Sequence, residues 1–110
     1  MKNVFVRAGS PLLLVAATLL FAVVPAHAQS GGALFKAKCA PCHGPDGKGD
    51  TSMGKMLKVR DLSSAGVQKQ TNAELTAVIE DGKGKMPAYK GKLSGGEIKE
   101  LVSFIRSLKQ

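Results

Sequence analysis

Apolar positions follow four different patterns along this chain. Near the start, "LLLVAATLLFAVV" (Leu12 to Val24) is an apolar run bounded by Pro11 and Pro25. In "SGGALFKAKC", Gly31, Phe35 and Cys39 recur every four residues, which aligns them on one face and predicts a short helix. From Thr51 to Lys69 the apolar residues Met53, Met56, Leu57, Val59, Leu62 and Val67 have no clean period, so this stretch reads as loop with one short helical turn. The fourth pattern is amphipathic and occurs twice. In "TNAELTAVIEDGKG", Thr71 and Glu74 form a capping box, Leu75, Val78 and Ile79 share a face, and Gly82 is the stop. "LSGGEIKELVSFIRSLKQ" repeats the device with Ser94 and Glu97, followed by Ile98, Leu101, Val102, Ile105 and Leu108 at helical spacing. Alternating strand patterns, internal repeats and low-complexity segments are lacking, so an all-α domain is predicted.

The first pattern belongs to a targeting segment. Lys2 and Arg7 precede the apolar run and "AHA" (Ala26 to Ala28) follows it, which is the order of a secretory signal peptide. Leu12 to Val24 is shorter than the ~20 residues that span a bilayer. The expectation is that residues 1–28 are cleaved, that residues 29–110 form one domain, and that this domain is exported to the periplasm. No cysteine follows the cleavage site to take a lipid, so stable membrane insertion is not expected.

A domain of that size has a marginal core unless a disulfide, metal or cofactor supplements it. Its aromatic residues are only Phe35, Tyr89 and Phe104, and a large prosthetic group would supply the missing bulk. The formal charge is +8, and losing Lys2 and Arg7 with the leader takes it to +6. Exported proteins do not ordinarily meet nucleic acid. The surplus is therefore read as steering toward an acidic protein partner, against the plainer reading that lysines keep a small monomer in solution.

"CAPCH" (residues 39 to 43) carries the chemistry. Cys39, Cys42 and His43 stand at i, i+3 and i+4, so one helical turn presents all three on one face. C-x-x-C-H is a haem attachment pattern, in which two thiols add to the haem vinyl groups and the imidazole reaches the iron. Other readings of the same residues fare less well. A structural zinc site wants four ligands, and His27 leaves with the signal. A redox dithiol belongs beside a βαβ pattern, and a disulfide closing so tight a loop would constrain little. After His43, "GPDGKGD" is turn chemistry.

At this point residues 29–110 resemble the small mono-haem class I c-type cytochromes. "CAPCHG" is similar to their attachment motif, "GKGKMPAYKGKLS" to their methionine ligand loop, and "EIKELVSFIRSL" to their C-terminal helix. The resemblance implies a cytochrome c fold of three to four short helices around one covalent haem c. It has Gly31 and Phe35 on the first helix crossing Leu101, Phe104 and Ile105 on the last. Cys39 and Cys42 would form the thioethers, and His43 and Met86 would be the axial iron ligands. Met53 and Met56 read instead as loop or packing residues. Tyr89 reads as packing near the haem edge, with a weak case for a propionate hydrogen bond. One departure is that no proline lies between Pro45 and Pro87 to supply the carbonyl that orients His43. "GKMLKVRDLSS" is the expected source.

With both axial positions filled, the reading is one-electron transfer between Fe(II) and Fe(III), not enzymatic catalysis. Lys83, Lys85, Lys90 and Lys92 flank Met86 and suggest a docking face for transient acidic redox partners. Two rivals remain. One is a dedicated electron-transfer subunit of a dehydrogenase or oxidase; the other is a haem enzyme or gas sensor in which Met86 is displaceable.

Overall fold

The computed structural model describes residues 31–110, together with the isolated Gly9. The predicted signal segment and its cleavage site lie outside the described residues. Six helical segments follow in order: α1 (Gly31–Lys38), α2 (Ala40–His43), α3 (Ser52–Leu57), α4 (Ala65–Gln68), α5 (Asn72–Asp81) and α6 (Gly95–Ser107). Among the described residues the only β pairing is two isolated bridges, Lys83 with Met86 and Lys90 with Leu93.

Both predicted capping boxes form. In α5 the Thr71 hydroxyl accepts from Glu74 N while Glu74 accepts from Thr71 N, and Ser94 and Glu97 do the same for α6. Each cap satisfies amide donors that the first turn leaves unpaired, a local effect worth about 0.5–2 kcal/mol. The stretch from 51 to 69 holds two short helices where one turn was expected. Thr51 accepts from Gly54 N to start α3, and Ser64 accepts from Val67 N to start α4. Neither cap has a Glu or Gln three residues on, and the helices are too short to show a period.

The core is formed by Phe35, Val67, Leu75, Ile79, Ile98, Leu101, Val102 and Ile105. Its centre is the crossing of α1 over α6. A Cβ on Gly31 would run into the Glu100 carbonyl, with the carbonyl carbon at 2.6 Å and Phe104 Cβ at 3.1 Å. Only glycine lets the two backbones come this close. One turn on, Phe35 is 1% exposed and its ring centroid lies 4.8 Å from that of Phe104. Burying a ring of this size contributes about 1.5–3 kcal/mol. The crossing that the family resemblance implied is therefore present, through the residues it named.

Polar side chains tie the middle of the chain to α6. Gln68 Nε2 donates to the carbonyls of Leu62 at 2.8 Å and Ile105 at 2.9 Å. Arg106 donates to the Gln68 carbonyl at 2.9 Å, to Asn72 Oδ1 at 2.8 Å, and to the Gln70 carbonyl. Arg106 thus supplies partners for carbonyls at and just past the end of the short helix α4.

Candidate functional site

Cys39 ends α1 and α2 restarts at once, with Pro41 in its first turn, where the missing N–H removes nothing. Cys42 N and His43 N both donate to the Cys39 carbonyl, at 3.1 and 2.9 Å. This turn is held from outside by the loop that follows it. Gly49 N donates to the His43 carbonyl at 2.7 Å, and the Thr51 hydroxyl donates to the Cys42 carbonyl at 2.8 Å while also capping α3. The motif is thus fixed through its backbone, which leaves the side chains for other work.

Met86 comes from the loop after α5. Lys83 and Met86 exchange backbone hydrogen bonds at 3.2 and 3.0 Å, closing a tight turn around Gly84 and Lys85. The turn rests on Gly82, whose φ of 72° and ψ of 173° belong to a region essentially reserved for glycine. A Cβ there would meet the Met86 carbonyl oxygen at 2.6 Å and Ala88 N at 2.9 Å. Gly82 stops α5 and also gives the Met86 turn room to fold back over it.

Cys39, Cys42, His43 and Met86 all line one cavity of about 320 Å³. That size lies in the range of small-molecule and cofactor sites. Its walls are mainly aliphatic, with Leu57, Val59, Leu62 and Val67 from the middle of the chain and Leu75 and Ile79 from α5. Val78, predicted to share the core face of α5, is half-buried and turns toward this cavity. Met53 and Met56 do not line it; they are 45% and 73% exposed.

The electrostatics suit a bound prosthetic group. Burial lowers the pKa of His43 and so favours the neutral imidazole, the form that ligates metals. Its Nδ1 is buried with no hydrogen-bond partner among the described residues, so no carbonyl of residues 54–64 fills the orienting role expected of that segment. The carbonyls of Gly54 and Lys55 accept instead from Val59 and Lys58 in the turn that closes α3. Burial, and then the neighbouring Cys42, push the Cys39 thiol up to about 11. A thiol used in disulfide exchange needs the opposite shift, so dithiol chemistry loses its support. The donor set and apolar walls fit haem c: two cysteines, a neutral imidazole and a thioether around one cavity.

Tyr89 also lines the cavity, and its hydroxyl donates to the Lys38 carbonyl at 3.2 Å. Burial, followed by Cys39 and Cys42, raises its pKa, so it remains a donor. The basic residues at the cavity differ from those expected from sequence. Lys83 and Lys85 are present, Lys90 and Lys92 are not, and Lys38, Lys58 and Arg60 join from two other segments. No acidic side chain among the described residues lines the cavity.

Residues 26–105 match the family model for cytochrome c oxidase, cbb3-type, subunit III. Cytochrome c6 of Leptolyngbya boryana is 39% identical over 80 residues, covering 73% of this chain and 91% of that protein. The chain belongs to the c-type cytochromes. The cbb3-type cytochrome c oxidase subunit FixPc of Rhizobium leguminosarum bv. viciae is 37% identical over 86 residues, which cover 76% of this cytochrome but 29% of the relative. Among solved structures, the KustC0563 c-type cytochrome superposes with a TM-score of 0.68 at 32% identity, covering 74% of this chain and 99% of that one. As a member of this family the cytochrome carries covalent haem c and transfers electrons; it is not an enzyme. No helix among the described residues is long and apolar enough to cross a membrane.

Proposed function

We propose that this cytochrome is an exported, diffusing carrier in which Cys39 and Cys42 bind the haem through thioethers and His43 and Met86 are its axial ligands. The observation that carries this reading is that one apolar cavity is lined by all four side chains, although helices α3, α4 and α5 separate Met86 from the other three in the chain. The haem supplies the Fe(II)/Fe(III) couple. The chain supplies everything that tunes it. A neutral thioether from Met86 raises the potential relative to a more basic ligand, and the aliphatic walls exclude water from the site.

Lys38, Lys58, Arg60, Lys83 and Lys85 beside the cavity give an acidic redox partner a positive surface to approach. Complementary charge raises encounter rates without demanding a long-lived complex, which is what a shuttle needs. Coverage favours the shuttle too, because the chain matches nearly the full length of the cytochrome c6 relative and under a third of the oxidase subunit. The match to a cbb3-type subunit model supports a second reading, a dedicated electron-transfer subunit. Export would proceed through residues 1–28, giving a periplasmic monomer that starts at Gln29, and the mass of the purified protein tests the cleavage.

The test of the ligand set is Met86→Ala in the haem-loaded protein. The parent's weak red charge-transfer band should vanish in the ferric variant, its potential should fall, and added imidazole should bind the iron. A variant with the parent's spectrum and potential would refute Met86 as a ligand.

A further inference from the structure

The Met86 loop and the cysteine turn form different parts of the cavity, and among the described residues one hydrogen bond joins them. Its donor is the Tyr89 hydroxyl and its acceptor the Lys38 carbonyl, at 3.2 Å. That acceptor is available for a structural reason. Lys38 is the last residue of α1, and the amide that a continuous helix would aim at it, Cys42 N, donates to Cys39 instead. The kink that presents the cysteines thus frees the carbonyl that Tyr89 uses.

Tyr89 is itself held firmly. Its amide donates to the Ile79 carbonyl at 3.0 Å, and its carbonyl accepts from Lys92 N at 2.9 Å and Leu93 N at 3.0 Å. Those bonds anchor the chain after Met86 to α5 and to the approach to α6. None of them reaches the cysteine side. The hydroxyl alone connects this anchored segment to the residue preceding Cys39.

We propose that the Tyr89 hydroxyl is a latch, a positioning group that keeps the Met86 loop closed against the cysteine turn and so limits how often Met86 leaves the iron. The proposal rests on Met86 being an axial ligand. Opening that carries Tyr89 away from α1 breaks the latch, so removing it favours that open state by the net worth of one hydrogen bond. That corresponds to about a 3- to 10-fold increase in opening.

The experiment compares haem-loaded parent, Tyr89→Phe and Met86→Ala by imidazole binding to the ferric form. Phenylalanine keeps the ring and every backbone bond and removes only the hydroxyl. The expected result is that Tyr89→Phe retains the charge-transfer band at rest, yet binds imidazole about 3- to 10-fold faster than the parent. Met86→Ala, with no ligand to displace, sets the upper limit. A hydroxyl that merely stabilises the fold would lower the unfolding midpoint without changing imidazole binding, and that outcome overturns the latch. Absence of the charge-transfer band in the parent would overturn the latch together with the ligand assignment, which separates the two failures.

Discussion

Where α1 crosses α6, contact is dry and close: Phe35 and Leu101 are each 1% exposed, and the Gly31 backbone lies against that of Glu100. On the cavity side, Cys39, Cys42, His43, Met86 and Tyr89 are all half-buried, and their positions come from backbone turns and single hydrogen bonds. The first region is completed by the chain itself. The second is arranged to be completed by a prosthetic group, and its cohesion is correspondingly looser. The two regions share a wall: Phe35, whose ring packs on Phe104, lies 6.4 Å from the ring of His43, and Leu101 and Ile105 line the cavity as well.

Substitutions should separate the two regions, and the largest effect is expected at their junction. Phe35→Ala should lower the unfolding free energy of the haem-loaded protein by about 3–5 kcal/mol in a denaturant titration. Next comes a paired test with the same added methyl group. Gly31→Ala should cost about 1–3 kcal/mol of stability while leaving the ferric charge-transfer band unchanged, because the strain falls on the helix crossing. Gly82→Ala should cost about 1–3 kcal/mol as well, from its glycine-only backbone geometry, but should weaken that band because the Met86 turn must move. A result in which both variants lose stability and neither alters the band would erase the distinction between the regions.

Lys85→Glu should leave stability nearly unchanged and slow electron transfer to an acidic partner on the order of a few-fold at low salt, with the difference shrinking as salt is added. An unchanged rate would move the docking surface elsewhere. The smallest effect is expected at the ion pair between Lys55 and Asp50. Their side chains are 72% and 73% exposed, so Lys55→Ala should change stability by no more than about 0.5 kcal/mol.

Much of the fold was legible where local chemistry decides structure. Thr71 with Glu74 and Ser94 with Glu97 are capping boxes in the sequence and in the structure, because each hydrogen bond joins residues only three apart. The two short helices α3 and α4 were less legible, since a single capping hydroxyl without a following period is a weak signal. Val78 shows another limit: its spacing puts it on the apolar side of α5, but both core and cavity lie on that side, and spacing does not distinguish them. Tyr89 was readable as a cavity residue but not as the partner of Lys38. That bond spans 51 positions and depends on a carbonyl freed by the kink at Cys39.

The sequence by itself determined the all-α class, the grouping of Cys39, Cys42 and His43 on one turn, and, through family resemblance, Met86 as the candidate on a second segment. Local geometry suffices for the first two, since helical periodicity and a three-residue spacing need no knowledge of the rest of the chain. Tertiary structure alone decided that Lys38, Lys58 and Arg60 join Lys83 and Lys85 beside the cavity while Lys90 and Lys92 do not. It alone decided that Gln68 and Arg106 supply the carbonyl partners along α6 and that Tyr89 closes on α1. These contacts depend on how the chain returns to itself around the cavity, and no local pattern encodes that path.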